Sequence, residues 1–248
     1  MDRLAGRTVL ISGAAGGMGT SHAKECVREG ARVVLGDILV DEAQALAAEL
    51  GDSAVSTRLD VTEAQDWENA VQLAVEHFGS LHVLVNNAGI LDMAPVEEVT
   101  DARWDKLIGI NLSGAFKGIR AATPVLKECA PGAIVNISST AGIKGFAGAI
   151  AYNAAKFGIR GMTRSVAMEL AEHHVRVNSI HPGNVDTTMI EGLYSNDYAH
   201  VPMRRTARPN EITALLIFLA SEESSFCTGG EFVADGGETA GSPPSIFG

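Results

Sequence analysis

Cysteine is scarce: there are three, Cys26, Cys129 and Cys227, far apart and without a Cys-x-x-Cys pair. Such an odd, scattered set argues against a disulfide framework and fits a reducing compartment. Long hydrophobic runs are missing too. The longest, such as Ala214 to Ala220, fall well short of the ~18 residues that span a bilayer. Residues Met1 to Gly6 carry no extended apolar stretch, so no signal peptide is expected. Basic side chains are outnumbered, 19 against 30 acidic, for a formal net charge of −11. A sequence-independent nucleic-acid binder needs a basic stripe to displace counterions, and a polybasic membrane-surface protein needs one to meet anionic lipid. The charge balance argues against both. It does not exclude an anionic small ligand, because backbone amides can bind phosphate on an acidic protein. The expectation is a cytoplasmic protein with no nucleic-acid or membrane partner.

Glycine is abundant, 27 of 248 residues, and the hydrophobic fraction of 46% is enough for a sizeable core. Short apolar runs alternate with helical stretches from end to end. Strands are expected at Thr8–Ile11, Ala31–Leu35, Ala54–Leu59, Leu81–Val85, Ala133–Ile137, Val175–Ile180 and Glu231–Ala234. Helices are expected near Gly17–Glu29, 41–50, 63–78, Tyr152–Glu172 and 210–220, with one or two more in 101–129. Gly30 stands where a C′ glycine stops the first helix. Apolar runs of about five residues spaced by helices are the pattern of a parallel sheet buried on both faces. The reading is α/β: residues 1–248 as one doubly wound (Rossmann) domain, a parallel sheet of about seven strands with helices on both faces. Two segments escape the pattern: 187–208, read as a substrate lid, and the tail 238–248 with Pro243-Pro244.

The first strand ends in Ser12-Gly13-Ala14-Ala15-Gly16-Gly17-Met18-Gly19. A tight turn there needs residues without Cβ, and so does close approach of a pyrophosphate to the backbone. The following helix N-terminus adds amides and a positive dipole end. By itself a glycine-rich turn is weak evidence, and the spacing is not Gly-x-Gly-x-x-Gly. Asp37, just after the second strand, strengthens it. A carboxylate there accepts hydrogen bonds from both adenosine ribose hydroxyls and repels a 2′-phosphate. No Arg or Lys lies in 13–19 or beside Asp37. The combination points to NAD rather than NADP. Asp60-Val61 and Asn86-Asn87-Ala88-Gly89 close the third and fourth strands, at the carboxyl ends where this architecture binds ligands. Asp60 could bond the adenine edge with Val61 beside the ring, and Asn87, Ala88 and Gly89 would bring backbone close to the cofactor. Each is equally an ordinary turn residue.

Tyr152 and Lys156 stand at i and i+4 on one helix face. A phenol's pKa near 10 is too high for proton exchange at neutral pH, and a nearby ammonium lowers it. The pair then makes a usable general acid/base for carbonyl–alcohol chemistry. Upstream, Ser139 follows an apolar strand at its carboxyl end, where a hydroxyl can hold a substrate oxygen; Ser138 competes for that role. Asn111 could hold a water linking Lys156 to solvent.

From about residue 6 to Gly237 the chain resembles the short-chain dehydrogenase/reductase family of the single-domain, roughly 250-residue type. The resemblance rests on Gly13/Gly17/Gly19, Asn86-Asn87-Ala88-Gly89, Asn111, Ser139, Tyr152, Lys156, His181-Pro182-Gly183 with Thr187, and Asp235-Gly236-Gly237, in the expected order. The loop opens with Ser12 where the family usually has threonine, which keeps the hydroxyl. The resemblance implies Tyr152 as catalytic acid/base and Lys156 on the nicotinamide ribose. It further implies Ser139 positioning the carbonyl, Asn111 completing a proton relay, and Pro182, Gly183, Val185 and Thr187 at the nicotinamide end, with Met18 in the cofactor loop. It implies reversible hydride transfer between NADH and a ketone without a catalytic metal. The histidines agree: His173 and His174 are adjacent rather than i,i+4, and no His-Glu-x-x-His occurs.

Gly36-Asp37-Ile38 and Ser179–Gly183 are similar to the bacterial 3α/20β-hydroxysteroid dehydrogenases within that family. The implied substrate is a bulky alicyclic, steroid-like ketone or alcohol. Met189, Leu193, Tyr194 and Met203 are candidate lid contacts, and equally candidate packing residues. Two alternatives stand beside this: a 3-oxoacyl-thioester reductase, weakened by Asp37, and a non-catalytic dinucleotide-binding regulator. Family resemblance also implies a homotetramer. Apolar Phe157, Ile159, Met162, Val166 and Met168 suit a subunit interface and suit deep burial equally.

Overall fold

A computed structural model describes residues 2–190 and 198–241. Seven strands form one parallel sheet: β1 (Thr8–Ser12), β2 (Arg32–Asp37), β3 (Ala54–Arg58), β4 (Val83–Asn86), β5 (Gly132–Ile137), β6 (Val175–Pro182) and β7 (Glu231–Ala234). Their order is β3-β2-β1-β4-β5-β6-β7. Among the described residues the α-helices are α1 (Gly17–Arg28), α2 (Val40–Leu50), α3 (Ala64–Phe78), α4 (Asp101–Ile108), α5 (Gly114–Glu128), α6 (Ile150–Leu170) and α7 (Pro209–Ala220). Every residue of β1, β4 and β5 is buried, which is why apolar residues fill consecutive positions (Val9 to Ile11, Val83 to Val85, Ala133 to Val135) instead of alternating.

Alternation still decides which face each side chain meets. Val9 and Ile11 of β1 pack with Ala23 and Cys26 of α1, Leu46 of α2 and Leu216 of α7. Leu10 points the other way, into the layer with Trp67 of α3, Ile119 of α5 and Leu170 of α6. The chain leaves β1 toward β2 on one side and continues at β4 on the other, so a crevice opens at the carboxyl ends of β1 and β4.

The stretch 101–129 resolves into two helices joined by a π-helical turn, Gly109–Ser113, that carries Asn111. A π turn adds a residue per turn and re-aims side chains, and such turns gather at functional sites. Helix α6 begins at Ile150, earlier than the apolar pattern suggests, and β6 extends to Pro182 because it stays paired with β7 to Ala234. The remaining boundaries shift by a residue or two, as frayed ends do.

His22 sits in α1 against α7, fully buried, with Nδ1 2.8 Å from Thr213 Oγ1. The Thr213 hydroxyl donates to Pro209 O, so His22 Nδ1 is the donor and Nε2 is left buried without a partner among the described residues. Burial pushes its pKa down to about 3. Below pH 6.5 the unfolded chain takes up a proton that the native chain refuses, so stability falls as pH falls. The expected slope is about 1.4 kcal/mol per pH unit between the two pKa values. His22→Leu should flatten the difference in urea denaturation between pH 7 and pH 5; an unchanged slope would refute the assignment.

Candidate active site

The glycine loop is shaped by contacts that no side chain could share. Gly13 has φ +65 and faces the Ala88 Cα, which an added Cβ would approach to 2.9 Å. At Gly19 a Cβ would stand 1.9 Å from Gly13 O. Gly17, with φ +51, looks across to the Thr187 side chain. Ser12 ties β1 to the end of β4: its Oγ accepts from the Asn87 and Ala88 amides. Asn87 Nδ2 donates to the Ser12 and Gly13 carbonyls. Helix α1 then starts at Gly16 with no side-chain cap and no acid in its first turn. No side chain of its first turn therefore neutralises the positive end of the helix dipole, an arrangement that favours an anion.

Asp37 ends β2 with its carboxylate reaching this loop. Oδ2 accepts from the Ala15 amide at 2.8 Å and Oδ1 from the Leu39 amide at 3.0 Å. Asp60 accepts from Thr62 N and Oγ1, bonds that hold its pKa below the usual carboxylate value. Val61 is buried against Gly114. The loop amides, the bare helix end and the nearby carboxylate together fit a dinucleotide.

The proton-handling residues meet at the neighbouring end of the crevice. Lys156 is buried one turn along α6 from Tyr152, its Nζ 5.4 Å from the Tyr152 ring centroid. That ammonium donates to Ile137 O at 2.9 Å, and burial lowers its pKa to about 8, so it stays mostly protonated at neutral pH. Gly89 lies between Lys156 and Asn111: a Cβ there would be 3.3 Å from Asn111 Oδ1 and 3.7 Å from Lys156 Nζ. The Asn111 amide is committed to the backbone, accepting from Ile90 N and donating to Ile90 O, each at 2.8 Å.

The two serines divide their roles. Ser138 Oγ donates to Lys156 O and is buried. Ser139 Oγ accepts from the Ala141 amide at 3.1 Å, which leaves its O–H free to donate into the cleft. His181 fixes the same peptide from below. Its Nδ1 lies 3.1 Å from Ser139 O, and a carbonyl only accepts, so Nδ1 carries the hydrogen. Nε2 then accepts from Ser179 Oγ at 2.9 Å, and burial lowers the imidazole's pKa and keeps it neutral.

Ser139, Tyr152, Pro182, Gly183, Val185, Thr187 and Met18 line one cleft. Leu91, Met93, Phe146 and Ala149 are further wall residues, and sequence reasoning missed them. Their signal was positional only: Leu91 and Met93 follow the Asn-Asn-Ala-Gly turn, and Phe146 lies in the loop after β5. None of the described lining residues is charged. Met189 lines the cleft, whereas Met203 does not. Met203 packs instead on the turn at Gly236, because 198–208 folds back along the end of β7. Leu193 and Tyr194 lie outside the described residues, as do Ser242–Phe247 of the tail. Among the described residues, no helix is long and apolar enough to cross a membrane, and no cluster of His, Cys, Asp and Glu could hold a metal ion.

A family model described as enoyl-(acyl carrier protein) reductase, one of the short-chain dehydrogenase/reductase models, matches residues 13–239. The chain is 48% identical over 246 residues to a 3-alpha-(or 20-beta)-hydroxysteroid dehydrogenase of Mycobacterium tuberculosis, covering 99% of this chain and 94% of the relative. It is also 48% identical over 249 residues to the trans-4-hydroxycyclohexanecarboxylate dehydrogenase of Sinomonas cyclohexanicum, covering 97% and 95%. A 2,5-dichloro-2,5-cyclohexadiene-1,4-diol dehydrogenase of Sphingobium indicum is 38% identical over 247 residues, covering 97% and 99%. Dehydrogenases of this kind bind a nicotinamide dinucleotide, which the glycine loop and Asp37 fit. The chain belongs to the short-chain dehydrogenase/reductase family and is an oxidoreductase acting on CH–OH groups.

Proposed function

We propose that the protein is an NAD(H)-dependent enzyme interconverting a bulky alicyclic, steroid-like ketone and its secondary alcohol. The observation that carries this reading is the meeting of Ser139, Tyr152 and Lys156 at one end of an uncharged, largely apolar cleft. The names of the relatives support a cyclic substrate, since three of them are dehydrogenases of cyclic alcohols.

The dinucleotide would be held by Gly13, Gly17, Met18 and Gly19 at its phosphates and by Asp37 at the adenosine ribose. Asp60 and Val61 would lie at the adenine, Asn87, Ala88 and Gly89 along the crevice, and Pro182, Gly183, Val185 and Thr187 at the nicotinamide. When bound, the nicotinamide supplies or takes up the hydride at the substrate carbon. The rest falls to the chain's own groups. Ser139 donates its free O–H to the ketone oxygen and orients it. Tyr152 delivers its phenolic proton to that oxygen as the alcohol forms. Lys156, charged at neutral pH, stabilises the phenolate left behind and binds the ribose beside it. Asn111 serves a proton relay through a water near its π turn, with its side chain anchored to Ile90. In oxidation the same proton moves back.

Asp37 supports NAD over NADP. Asp37→Ala is expected to weaken NADH binding about 10- to 100-fold, from the loss of charged hydrogen bonds worth 1.5–3 kcal/mol, and to narrow the preference over NADPH. Fluorescence titration with each nucleotide checks this, and a preference that survives the substitution sinks the assignment.

Exposed Phe116, Phe157 and Met168 on α5 and α6 support a homotetramer, which a monomer in light scattering would overturn. The unpaired cysteines support a cytoplasmic setting. Of the segment 187–208 expected as a lid, Thr187 and Met189 line the cleft, 191–197 lie outside the described residues, and 198–208 lies along the end of β7, so the lid role is proposed for the start of the segment alone.

The deciding experiment is NADH oxidation with a keto-steroid, cyclohexanone and an acetoacetyl thioester, with NADPH in parallel. Turnover of the cyclic ketones with NADH supports the proposal. Turnover of the thioester alone, with NADPH, replaces it with a 3-oxoacyl-thioester reductase.

A further inference from the structure

Phe146 is the only aromatic wall residue of the cleft besides Tyr152 among the described residues, and it sits in an irregular loop between β5 and α6. Its backbone is pinned by Asn153. That side chain accepts from Phe146 N at 3.0 Å and donates to Ala141 O and Lys144 O at 2.7 and 2.8 Å. The ring is held separately. Lys144 Nζ stands 5.0 Å from its centroid, and the same ammonium pairs with Glu238 Oε1 at 2.9 Å.

Glu238 is an unusual partner. Its side chain is only 2% exposed, and Oε2 has no hydrogen-bond partner among the described residues. A buried carboxylate with a single cation is a poor way to gain stability, because desolvation opposes the Coulomb attraction. The turn that carries it is rigid. Asp235 accepts from the Gly237 and Thr239 amides and the Thr239 hydroxyl. It also packs on Gly183, where a Cβ would come within 2.9 Å of the Asp235 Cα. A fixed post below the nicotinamide end of the cleft thus reaches across to the loop that forms the opposite wall.

We propose that the Lys144–Glu238 ion pair is a specificity-determining pair that holds the Phe146 ring as one wall of the cleft and so sets which cyclic ketones fit. The pair acts through Phe146 and is a positioning pair, since neither charged group lines the cleft. It also keeps the lysine charge occupied outside the cleft, which leaves the lining neutral for a neutral alicyclic skeleton. This inference rests on the ketone reading of the site given above.

The test uses full-length Glu238→Gln and Lys144→Met with cyclohexanone and a keto-steroid. Each variant is expected to raise the keto-steroid KM about tenfold, the scale of a lost pocket contact. The kcat on cyclohexanone and the affinity for NADH should stay within about twofold of wild type, because no catalytic group has moved. A keto-steroid KM that does not change, or that rises together with loss of NADH binding, overturns the proposal. A second readout needs no substrate. Trypsin cuts after Lys144 only when that loop is free, so Glu238→Gln should speed cleavage there several-fold, by mass spectrometry of the fragments. Equal protection in wild type and variant overturns the pair's holding role. If wild type reduces neither ketone, the ketone reading fails and the cleavage comparison alone decides the clamp.

Discussion

Tyr152→Phe is expected to cut turnover about 10³-fold, within the range for removal of a general acid/base, while NADH binding stays as in wild type. The substitution removes one oxygen and leaves the ring that lies beside the Lys156 ammonium. On the proposed reading Ser139 would still orient the ketone, and the glycine loop is untouched by the substitution. The proton then has no donor placed at the carbonyl oxygen. Steady-state kinetics and a fluorescence titration separate the two effects. A variant that keeps its turnover would move the acid/base role elsewhere. A wild type that binds NADH but turns over no ketone, alcohol or thioester would favour a dinucleotide-binding regulator.

Gly19→Ala carries the second large effect, on binding and on folding together. An added Cβ would stand 1.9 Å from Gly13 O and 2.8 Å from the Ala14 Cα, distances that only a backbone shift can relieve. That shift moves the start of α1, which has no side-chain cap. The expected outcome is loss of stability of about 1–3 kcal/mol, as for other overpacked sites. A loss of NADH affinity of about 100-fold or more should accompany it, as two charge-assisted hydrogen bonds are misplaced. Gly16→Ala is the control on folding. Nothing lies within 4 Å of a Cβ there, so denaturation should show a change of under about 1 kcal/mol, the scale of an altered cap. Equal denaturation midpoints for the two variants would refute the close-approach argument.

Much of this was legible before any coordinates. The strands could be read because central parallel strands are buried on both faces, so Thr8–Ile11 and Ala133–Ile137 stand out as apolar runs. The glycine loop, Asp37, Ser139, Tyr152 and Lys156 could be read because each sits at a strand end or a fixed helical interval, whereas Asn111, in a π turn, stood out through the family resemblance. The sequence leaves Met203 open between lid contact and packing residue because 198–208 has no period from which its facing follows. The Phe146 wall was missed for the same reason. The partnership of Lys144 with Glu238 leaves no local trace, since it joins a loop after β5 to a turn after β7. His181 is visible in sequence only as part of a motif. Its work on Ser139 depends on two strands lying side by side, with Ser138 N bonded to Ile180 O.

Helix α6 begins at the cleft and ends in the core. Tyr152 and Lys156 lie in its first two turns, and Ala167 and Leu170 are buried under the sheet at its far end. The amides of its buried C-terminal half are therefore expected to exchange with deuterium more slowly than those of the irregular loop 141–149. The proposed proton donor thus stands on a long helix anchored in the core, and the Phe146 wall on an irregular loop held by side-chain contacts. On the proposed reading, substitutions in that loop would change which ring system is accepted while leaving the residues proposed for proton transfer in place.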